Sequence, residues 1–220
     1  MEEPKESAIL TAAIHEFAEK GFEQASTNQI AKDAGVSKGL VFHYYESKEK
    51  LFEESVIYAI NFSMEELNYN DWNFKGNVIE KFKKYCEQEI QFCKNYPDLY
   101  QLVLAAFTRP PKELTDKIVH LFQKMESLVP EFFQKMIGSL DLKDDVDPAT
   151  LQAVLQSHYY YYSNRSMGYL KMHPEAQIDE LRPFVDQFLA MLSMSLRGLL
   201  KNEKDVLNKR SLLKRKIEEN

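Results

Sequence analysis

The side chains with the clearest capacity for specific recognition lie in residues 26–51, where glycine, lysine and aromatic residues recur at helical spacing. A solvated helix surface would normally carry glutamate and lysine, whereas this one would carry Lys38, Gly39, Phe42 and His43. Lysine donates hydrogen bonds to guanine, an aromatic ring packs on a thymine methyl group, and glycine permits close backbone approach. This surface is therefore predicted to contact base edges in the major groove of DNA.

Two short helices on either side of a glycine turn would position these groups. Ser26 and Gln29 fit a capping box, so the first helix is predicted to begin near Thr27. Gly35 is predicted to end it in the left-handed conformation, and Ser37 to cap the second helix. The residues predicted to seat the second helix on the protein are apolar or aromatic and lie at helical spacing: Leu40, Val41 and Tyr44. This pattern is typical of a helix-turn-helix motif.

Several stretches in and before this motif match a known family. They are Gly35-Val36-Ser37-Lys38-Gly39, Phe42-His43-Tyr44-Tyr45 and Lys48-Glu49-Lys50-Leu51, preceded by Ala12-Ala13, Phe17, Lys20-Gly21-Phe22, Thr27 and Ile30-Ala31. The segment resembles the DNA-binding segment of the tetracycline-repressor (TetR) family, over roughly the first fifth of the chain. The resemblance implies an all-α protein. Residues 1–48 would form a three-helix, helix-turn-helix DNA-binding domain, and residues 49–220 a helical bundle for effector binding and dimerisation.

The resemblance also implies a function and a set of contacts. The chain would be a sequence-specific transcriptional regulator and, specifically, a homodimeric repressor released from a palindromic operator by a small, largely apolar effector. Lys48, by its matching position, would contact a phosphate. The positions that would contact DNA are Thr27, Asn28, Ser37, Lys38, Gly39, Phe42, His43, Tyr44 and Lys48. The alternative is a helical adaptor or ligand-binding module, which would not need a positive stripe across the two reading helices.

Composition limits the remaining function classes. The 220-residue chain is 44% hydrophobic, which is enough for one or two domains with a real core. It has no long apolar run and no signal-like N-terminus, so a cytoplasmic protein without a membrane contact is expected. Cys86 and Cys93 lie two helical turns apart, too far for a disulfide within one chain. No phosphate loop, zinc-protease motif or nucleophile elbow occurs, so no enzymatic activity, cofactor or metal site is predicted.

The net charge of −6 is compatible with sequence-specific DNA binding. Non-specific binders cover themselves with lysine and arginine, but a specific regulator needs only a local basic face. Lys32, Lys38, Lys48 and Lys50 are predicted to supply that face. A second basic cluster, between residues 209 and 216, is interpreted as the solvated end of a last helix or as a further DNA contact.

Helical periodicity runs almost from end to end, and no segment alternates like a strand. Pro130 is predicted to kink or split the helix that contains it. A polar loop with the only tryptophan, Trp72, separates the reading head from the body. The helices predicted outside the motif span about 5–20, 48–67, 75–95, 97–107, 113–137, 148–172 and 178–201, with a short basic helix possible at 204–218.

The body is predicted to form a homodimer. One short reading helix buries little surface, so such proteins usually bind two half-sites as pairs. Tyrosines 159–162 point about 100° apart, so the helix that carries them would be buried on more than one side. The resembled family pairs its last two long helices, which implies an interface through residues 148–172 and 178–201. The alternative is a monomer whose own helices bury these rings.

Polar groups on apolar helix faces are the candidates for an effector site. Helical projection places Glu89 on one such face, and His158 and Arg165 on another. Because a buried charge is costly unless paired, one interpretation is a structural Glu89–Arg165 ion pair or a water-filled polar pocket. The other is a largely apolar cavity in which these groups orient an effector. The candidate effector-binding residues are Glu89, Cys93, Phe107, Met125, His158, Tyr162 and Arg165.

Overall fold

The structure, a computed structural model, describes residues 5–69, 74 and 76–202. The described residues form ten α-helices and two short 3₁₀ turns, with one isolated antiparallel bridge between Leu142 and Leu200. The helices are α1 (Lys5–Gln24), α2 (Thr27–Asp33), α3 (Lys38–Tyr45), α4 (Lys48–Glu66), α5 (Val78–Asn95), α6 (Pro97–Thr108), α7 (Thr115–Glu126), α8 (Val129–Gly138), α9 (Pro148–Met172) and α10 (Arg182–Leu196). The predicted all-α class is confirmed.

Proline sets several of these boundaries. Pro97 opens α6 and Pro148 opens α9, because a proline in the first helical position lacks only a donor that would be unpaired anyway. Pro130 lies in the first turn of α8, so the helix predicted over 113–137 is split into α7 and α8. The predictions for Trp72, the basic cluster at 209–216 and the helix at 204–218 lie outside the described residues.

The helix predicted over 178–201 is wrong at both ends. A 3₁₀ turn, Ile178–Leu181, precedes α10, and Pro183 lies in the first turn of α10. At the other end, Arg197 has extended backbone angles and stops the helix after Leu196. The chain then pairs with the loop before α9, where the N–H groups of Lys143 and Lys201 each donate to a backbone carbonyl at 2.9 Å. These long-range bonds replace the last helical turn.

The chain divides into two compact units. The first contains residues 5–69, 91–124 and 170–175, so α1–α4 share it with α6 and most of α7. Within it, α6 packs against both α1 and α4. The predicted functional boundary at residue 48 therefore does not coincide with the edge of a compact unit, because α4 and α6 complete the core of the reading head. Fully buried members of this unit include Ile9, Phe17, Ile30, Val41, Leu51 and Phe52.

The second unit contains residues 74, 76–90, 125–169 and 176–202 of the described chain. Its core joins α5, α8, α9 and α10, with Phe133, Leu155 and Leu192 almost wholly buried. The Phe188 ring lies 5.4 Å from that of Phe82 and 5.1 Å from that of Tyr162. This aromatic core leaves the opposite faces of α9 and α10 exposed.

Both cysteines are thiols, as their spacing predicts. Cys86 is buried in the core of the second unit, where burial and the nearby charge of Glu89 raise the pKa of its thiol. Cys93 is half-buried. None of the helices in the described part of the chain contains an apolar stretch of the length that a lipid bilayer requires.

Candidate nucleic-acid interface

The start of α2 is fixed by two different acceptors. The Gln29 N–H donates to the Ser26 hydroxyl at 3.4 Å, which is one half of the predicted capping box. The other half is absent, because the Gln29 side chain donates to Asp33 instead. The Ser26 N–H donates to Glu16 on α1 at 2.9 Å, and Glu16 also pairs with Lys20 at 2.9 Å. Glu16 is only 2% exposed and is a positioning residue that sequence reasoning missed.

The turn and the start of α3 follow the sequence signals. Gly35 has φ 66°, the left-handed conformation that glycine adopts without a Cβ penalty. The Ser37 hydroxyl then accepts from the Leu40 N–H at 3.2 Å and caps α3.

The residues that seat α3 differ in one position from the prediction. Val41 is fully buried and Tyr45 is 6% exposed, whereas Tyr44 is 42% exposed. Because Val41 and Tyr45 are four residues apart, they lie on the same side of the helix, and Tyr44 is turned about 100° away. The Tyr45 hydroxyl donates to the Glu6 carbonyl at 3.4 Å, and burial raises its pKa to about 12. Tyr44 therefore lies on the outer surface of α3.

The outer surface of α3 presents the predicted recognition groups. Lys38, Gly39 and His43 are exposed, and Phe42 is half-buried. The Lys38 ammonium lies 5.8 Å from the centre of the Phe42 ring, and the His43 ring lies 5.7 Å from that of Tyr44. The Lys38 cation, three aromatic side chains and the bare backbone of Gly39 therefore lie on the outer surface of α3, and base edges in DNA accept groups of these kinds.

The start of α4 adds a cation beside this face. Ser47 caps the helix by accepting from the Lys50 N–H at 3.0 Å. The Lys48 ammonium donates to the Glu23 carbonyl at 3.2 Å and lies 4.7 Å from the centre of the Phe22 ring.

The basic face is narrower than predicted. Lys50 forms an ion pair with Glu54 at 2.7 Å and lies 3.6 Å from Glu53, so its charge is already partnered within the protein. Lys32 and Lys38 are exposed, and Lys48 is half-buried. On α2, Asn28 is exposed and Thr27 half-buried in the first turn. All nine residues predicted to contact DNA lie in α2 and α3, at the cap of α3 or at the start of α4, within the first unit.

Comparison with known proteins agrees with this geometry. Residues 9–55 match the family model described as bacterial regulatory proteins, tetR family. The chain belongs to the TetR family. It is thus a helix-turn-helix DNA-binding protein in a family of transcriptional regulators.

The similarity between this TetR-family protein and its relatives extends beyond the helix-turn-helix motif. The negative regulator IcaR of the biofilm operon icaADBC in Staphylococcus epidermidis is 22% identical, over 86% of this chain and 97% of its own. The fatty acid metabolism regulator protein of Bacillus subtilis is 26% identical, over 66% of this chain and 74% of its own. A TetR-like transcriptional regulator from Rhodococcus sp. RHA1 shares the fold, with a TM-score of 0.58 and 19% identity over 90% of this chain and all of that one.

The structure distributes the predicted effector residues of this TetR-family protein over both units. Phe107, whose ring lies 4.8 Å from that of Phe122, and Cys93 are in the first unit. Glu89, Met125, His158, Tyr162 and Arg165 are in the second. Burial raises the pKa of Tyr162, and the charge of the nearby, half-buried Glu89 carboxylate raises it further.

Arg165 does not lie on the core side of α9, which corrects the helical projection. It is exposed, donates to the Tyr161 hydroxyl at 3.1 Å and to Gln187 at 3.2 Å, and lies 5.5 Å from the Phe184 ring. The interpretation as a Glu89–Arg165 ion pair is therefore wrong. The buried side of α9 passes through Ser166, and Arg165 is rotated about 100° from it. His158, half-buried, lies on the same outer side, with Nε2 2.8 Å from the Ser195 hydroxyl.

Proposed function

We propose that this TetR-family protein is a homodimeric repressor that binds a palindromic operator and leaves it when a small, largely apolar effector binds. The outer face of α3 is the observation that supports operator reading. It places Lys38, Gly39 and His43 in solvent on a helix that Val41 and Tyr45 hold in the protein. An adaptor would have no need of this combination of donors, rings and bare backbone on one face. The proposal involves no catalytic step and places the protein in the cytoplasm with its operator.

Lys38 tests base readout. Its ammonium is exposed and can donate to guanine O6 and N7. Lys38→Ala should cost about 1–3 kcal/mol in binding free energy and relax the base preference at one position of each half-site. Binding-site selection with purified protein provides the operator, and affinity for its single-base variants is then measured. Equal losses on operator and random DNA would contradict base readout by Lys38.

Lys48 tests the phosphate contact that the resemblance implies. Its ammonium has three donor hydrogens, of which the Glu23 carbonyl takes one. Lys48→Ala should weaken binding to every duplex alike and make the slope of log K against log salt shallower by about one unit. Lys50→Ala is the matched control, because Glu54 already neutralises that lysine. A changed base preference with an unchanged slope would assign Lys48 to base readout instead.

The exposed faces of α9 and α10 support the homodimer. On α9, Val154, Tyr161 and Arg165 follow one another at intervals of seven and four residues, and Tyr161 is 46% exposed. On α10, Gln187 and Met194 continue the surface, and Met194 is 71% exposed. Arg165 links the two helices through Gln187. Aromatic residues, methionine and arginine are the types enriched at protein interfaces, so a second copy is the proposed partner of this surface.

Repression is supported by IcaR, which is named a negative regulator and is similar over most of both chains. An operator placed over a promoter provides the test. Transcription in vitro should fall as this protein is added, and the Lys38→Ala variant should not produce the fall. Increased transcription would identify an activator, and an unchanged level would favour the adaptor.

The effector site is proposed to lie beside Glu89 and Tyr162. The surrounding residues are aromatic and apolar, and one relative is named a fatty acid metabolism regulator protein. With Arg165 on the outer surface, Glu89 is the candidate residue whose charge acts on both Tyr159 and Tyr162. Glu89→Gln keeps the shape and removes the charge. Near-normal stability, intact operator binding and an altered effector response would support the site, and loss of stability alone would make Glu89 structural.

A further inference from the structure

Lys48 occupies an electrostatically unfavourable position. It is the first residue of the 19-residue helix α4, where the aligned peptide dipoles place partial positive charge. Within the described chain Lys48 has no carboxylate partner, whereas Lys50, two residues later, is paired with Glu54. The two groups that hold its ammonium are a backbone carbonyl and an aromatic ring. An anion at this point would satisfy both the ammonium and the helix terminus.

Two residues at the end of α1, Phe22 and Glu23, form the seat of this ammonium, that is, the ring and the carbonyl that contact it. Gly21 has φ 68°, which turns the chain out of the helix and brings the Glu23 carbonyl to 3.2 Å from Lys48. Phe22 lies 6.3 Å from the Phe17 ring and 5.3 Å from the Phe52 ring, measured between ring centres. Because two core rings fix Phe22, its face is held in one place beneath the Lys48 ammonium, 4.7 Å away.

From this geometry we infer that Phe22 is a positioning residue for DNA binding, which holds the Lys48 ammonium where it meets a backbone phosphate. A free lysine side chain loses much of its rotational freedom when it is fixed, and that loss weakens binding. The Phe22 ring and the Glu23 carbonyl order the side chain before DNA arrives and leave two ammonium donors for the phosphate. The inference rests on the phosphate contact proposed for Lys48.

Three Phe22 and Phe17 variants separate positioning from packing. Phe22→Leu keeps an apolar group between Phe17 and Phe52 but removes the ring face, and Phe22→Tyr keeps the face. Phe17→Leu is the matched control, because it perturbs the same ring cluster while Phe52 still holds Phe22 and the contact between Phe22 and Lys48 remains. Affinities for operator and unrelated duplexes are measured over a series of salt concentrations, with folding checked by circular dichroism.

Phe22→Leu should weaken binding to both duplexes by the same factor, about two- to fivefold, as expected for an exposed cation–π contact. It should also make the salt slope shallower, whereas Phe22→Tyr and Phe17→Leu should leave the slope unchanged. In a Lys48→Ala background, Phe22→Leu should have no further effect. Two results would show that Phe22 acts only through packing. One is a loss of affinity in the double variant equal to the product of the two single-variant losses. The other is the same change in salt slope from Phe17→Leu.

Nuclear magnetic resonance of the unaltered protein tests the seat without DNA and without a substitution. A ring held over Lys48 should shift its ε-methylene proton resonances upfield, and a normal chemical shift would overturn the inference. The two proposals can thus fail separately. An unchanged salt slope in Lys48→Ala would remove the phosphate contact, whereas a normal ε-methylene shift would remove the role of Phe22.

Discussion

Gly39 has no role in the packing of the protein. It lies in the first turn of α3, is exposed, and has only the Ser37 hydroxyl, at 3.9 Å, near the place where a Cβ would project. Glycine within a helix costs about 0.5–1 kcal/mol relative to alanine. The fold alone would therefore favour a side chain here, and the open space is best explained by a partner that approaches the backbone.

We expect Gly39→Ala to stabilise the protein and weaken operator binding. The methyl group fits the fold, so the free energy of unfolding should rise by up to about 1 kcal/mol. It would occupy the space needed by a base, so operator affinity should fall. Urea unfolding and operator titration measure the two effects. An unchanged or higher operator affinity would mean that α3 approaches the groove through other residues.

At the residue scale, contacts within one helix can be predicted from the sequence, whereas contacts between helices cannot. The caps by Ser26, Ser37 and Ser47 are predictable because each bonds a backbone N–H three residues ahead. The acceptor at Glu16 is ten residues from Ser26 and is set by the way α1 packs on α2. The exposure of Arg165 likewise depends on which neighbours cover α9, and a projection of one helix does not contain that information.

At the scale of elements, a buried carboxylate joins α1 to α2. Glu16 accepts from the Ser26 N–H and from Lys20, and each bond measures 2.9 Å. A buried acceptor with two donors restrains the angle at which the chain enters α2. Since α2 supports the turn before α3, this contact orients the reading helix as well.

Glu16→Ala should therefore destabilise the protein and reduce DNA binding together. It leaves the Ser26 N–H without its acceptor, which should lower the free energy of unfolding by about 1–3 kcal/mol. Urea unfolding measures the loss. Glu19→Ala, at an exposed position on the same helix, is the control and should stay within about 0.5 kcal/mol of the original protein. Equal stability of the two variants would show that Glu16 does not brace α2.

Two histidines should give opposite pH dependences in the two units. His15 on α1 lies 2.9 Å from Asp98 on α6, and that hydrogen bond raises its pKa. Its contribution to stability is present below pH 6.5, its unfolded value, and is lost as the pH rises through the folded pKa. His158 lies between α9 and α10, and burial lowers its pKa, so protonation below pH 6.5 destabilises the fold.

Substituting either histidine should separate these effects. Between pH 7.5 and pH 5.5, His15→Gln should lose more stability on acidification than the original protein, because the opposing His158 effect remains. His158→Gln should lose less stability on acidification than the original protein, or should become more stable. Urea unfolding at a series of pH values measures both slopes. Parallel curves for all three proteins would show that neither histidine controls the pH dependence.

At the scale of the whole molecule, α9 carries a second glycine without an internal role. Gly168 is exposed in a 25-residue helix and follows Tyr161 and Arg165 on the outer face. Among the described residues, no neighbour outside its own helical turns comes within 4 Å of the point where a Cβ would project. Small residues let two helix backbones approach closely. In the proposed dimer, Gly168 is thus a candidate for the point where helices of two subunits cross.

Gly168→Leu should weaken that dimer while leaving each subunit folded. The leucine would separate the helices at their crossing point, so the dissociation constant of the dimer should rise. Sedimentation equilibrium over a range of protein concentrations measures it. Gly138→Leu, at the exposed end of α8, is the control and should not change it. If both variants dimerise normally, the subunit contact lies elsewhere on the surface.

Much of the whole fold is encoded locally. The starts of α6, α8 and α9 follow from Pro97, Pro130 and Pro148. Proline has no backbone N–H group, so it is favoured in the first turn of a helix, where that group would have no partner in the helix. The division into two units is not local, since it depends on α6 packing against α1 and α4. The end of α10 is also set from a distance, by the loop that pairs with residues 199–201.

The burial of Cys86 has a practical consequence for spectroscopy. Thiol reagents attack the thiolate, and burial raises the pKa of Cys86 and hides its sulfur. Cys93 is less buried, so a maleimide dye at neutral pH should label it first. The natural sequence would then accept one fluorophore near the end of α5 without the removal of a cysteine. Fluorescence from that dye would report operator and effector titrations on an otherwise unaltered protein.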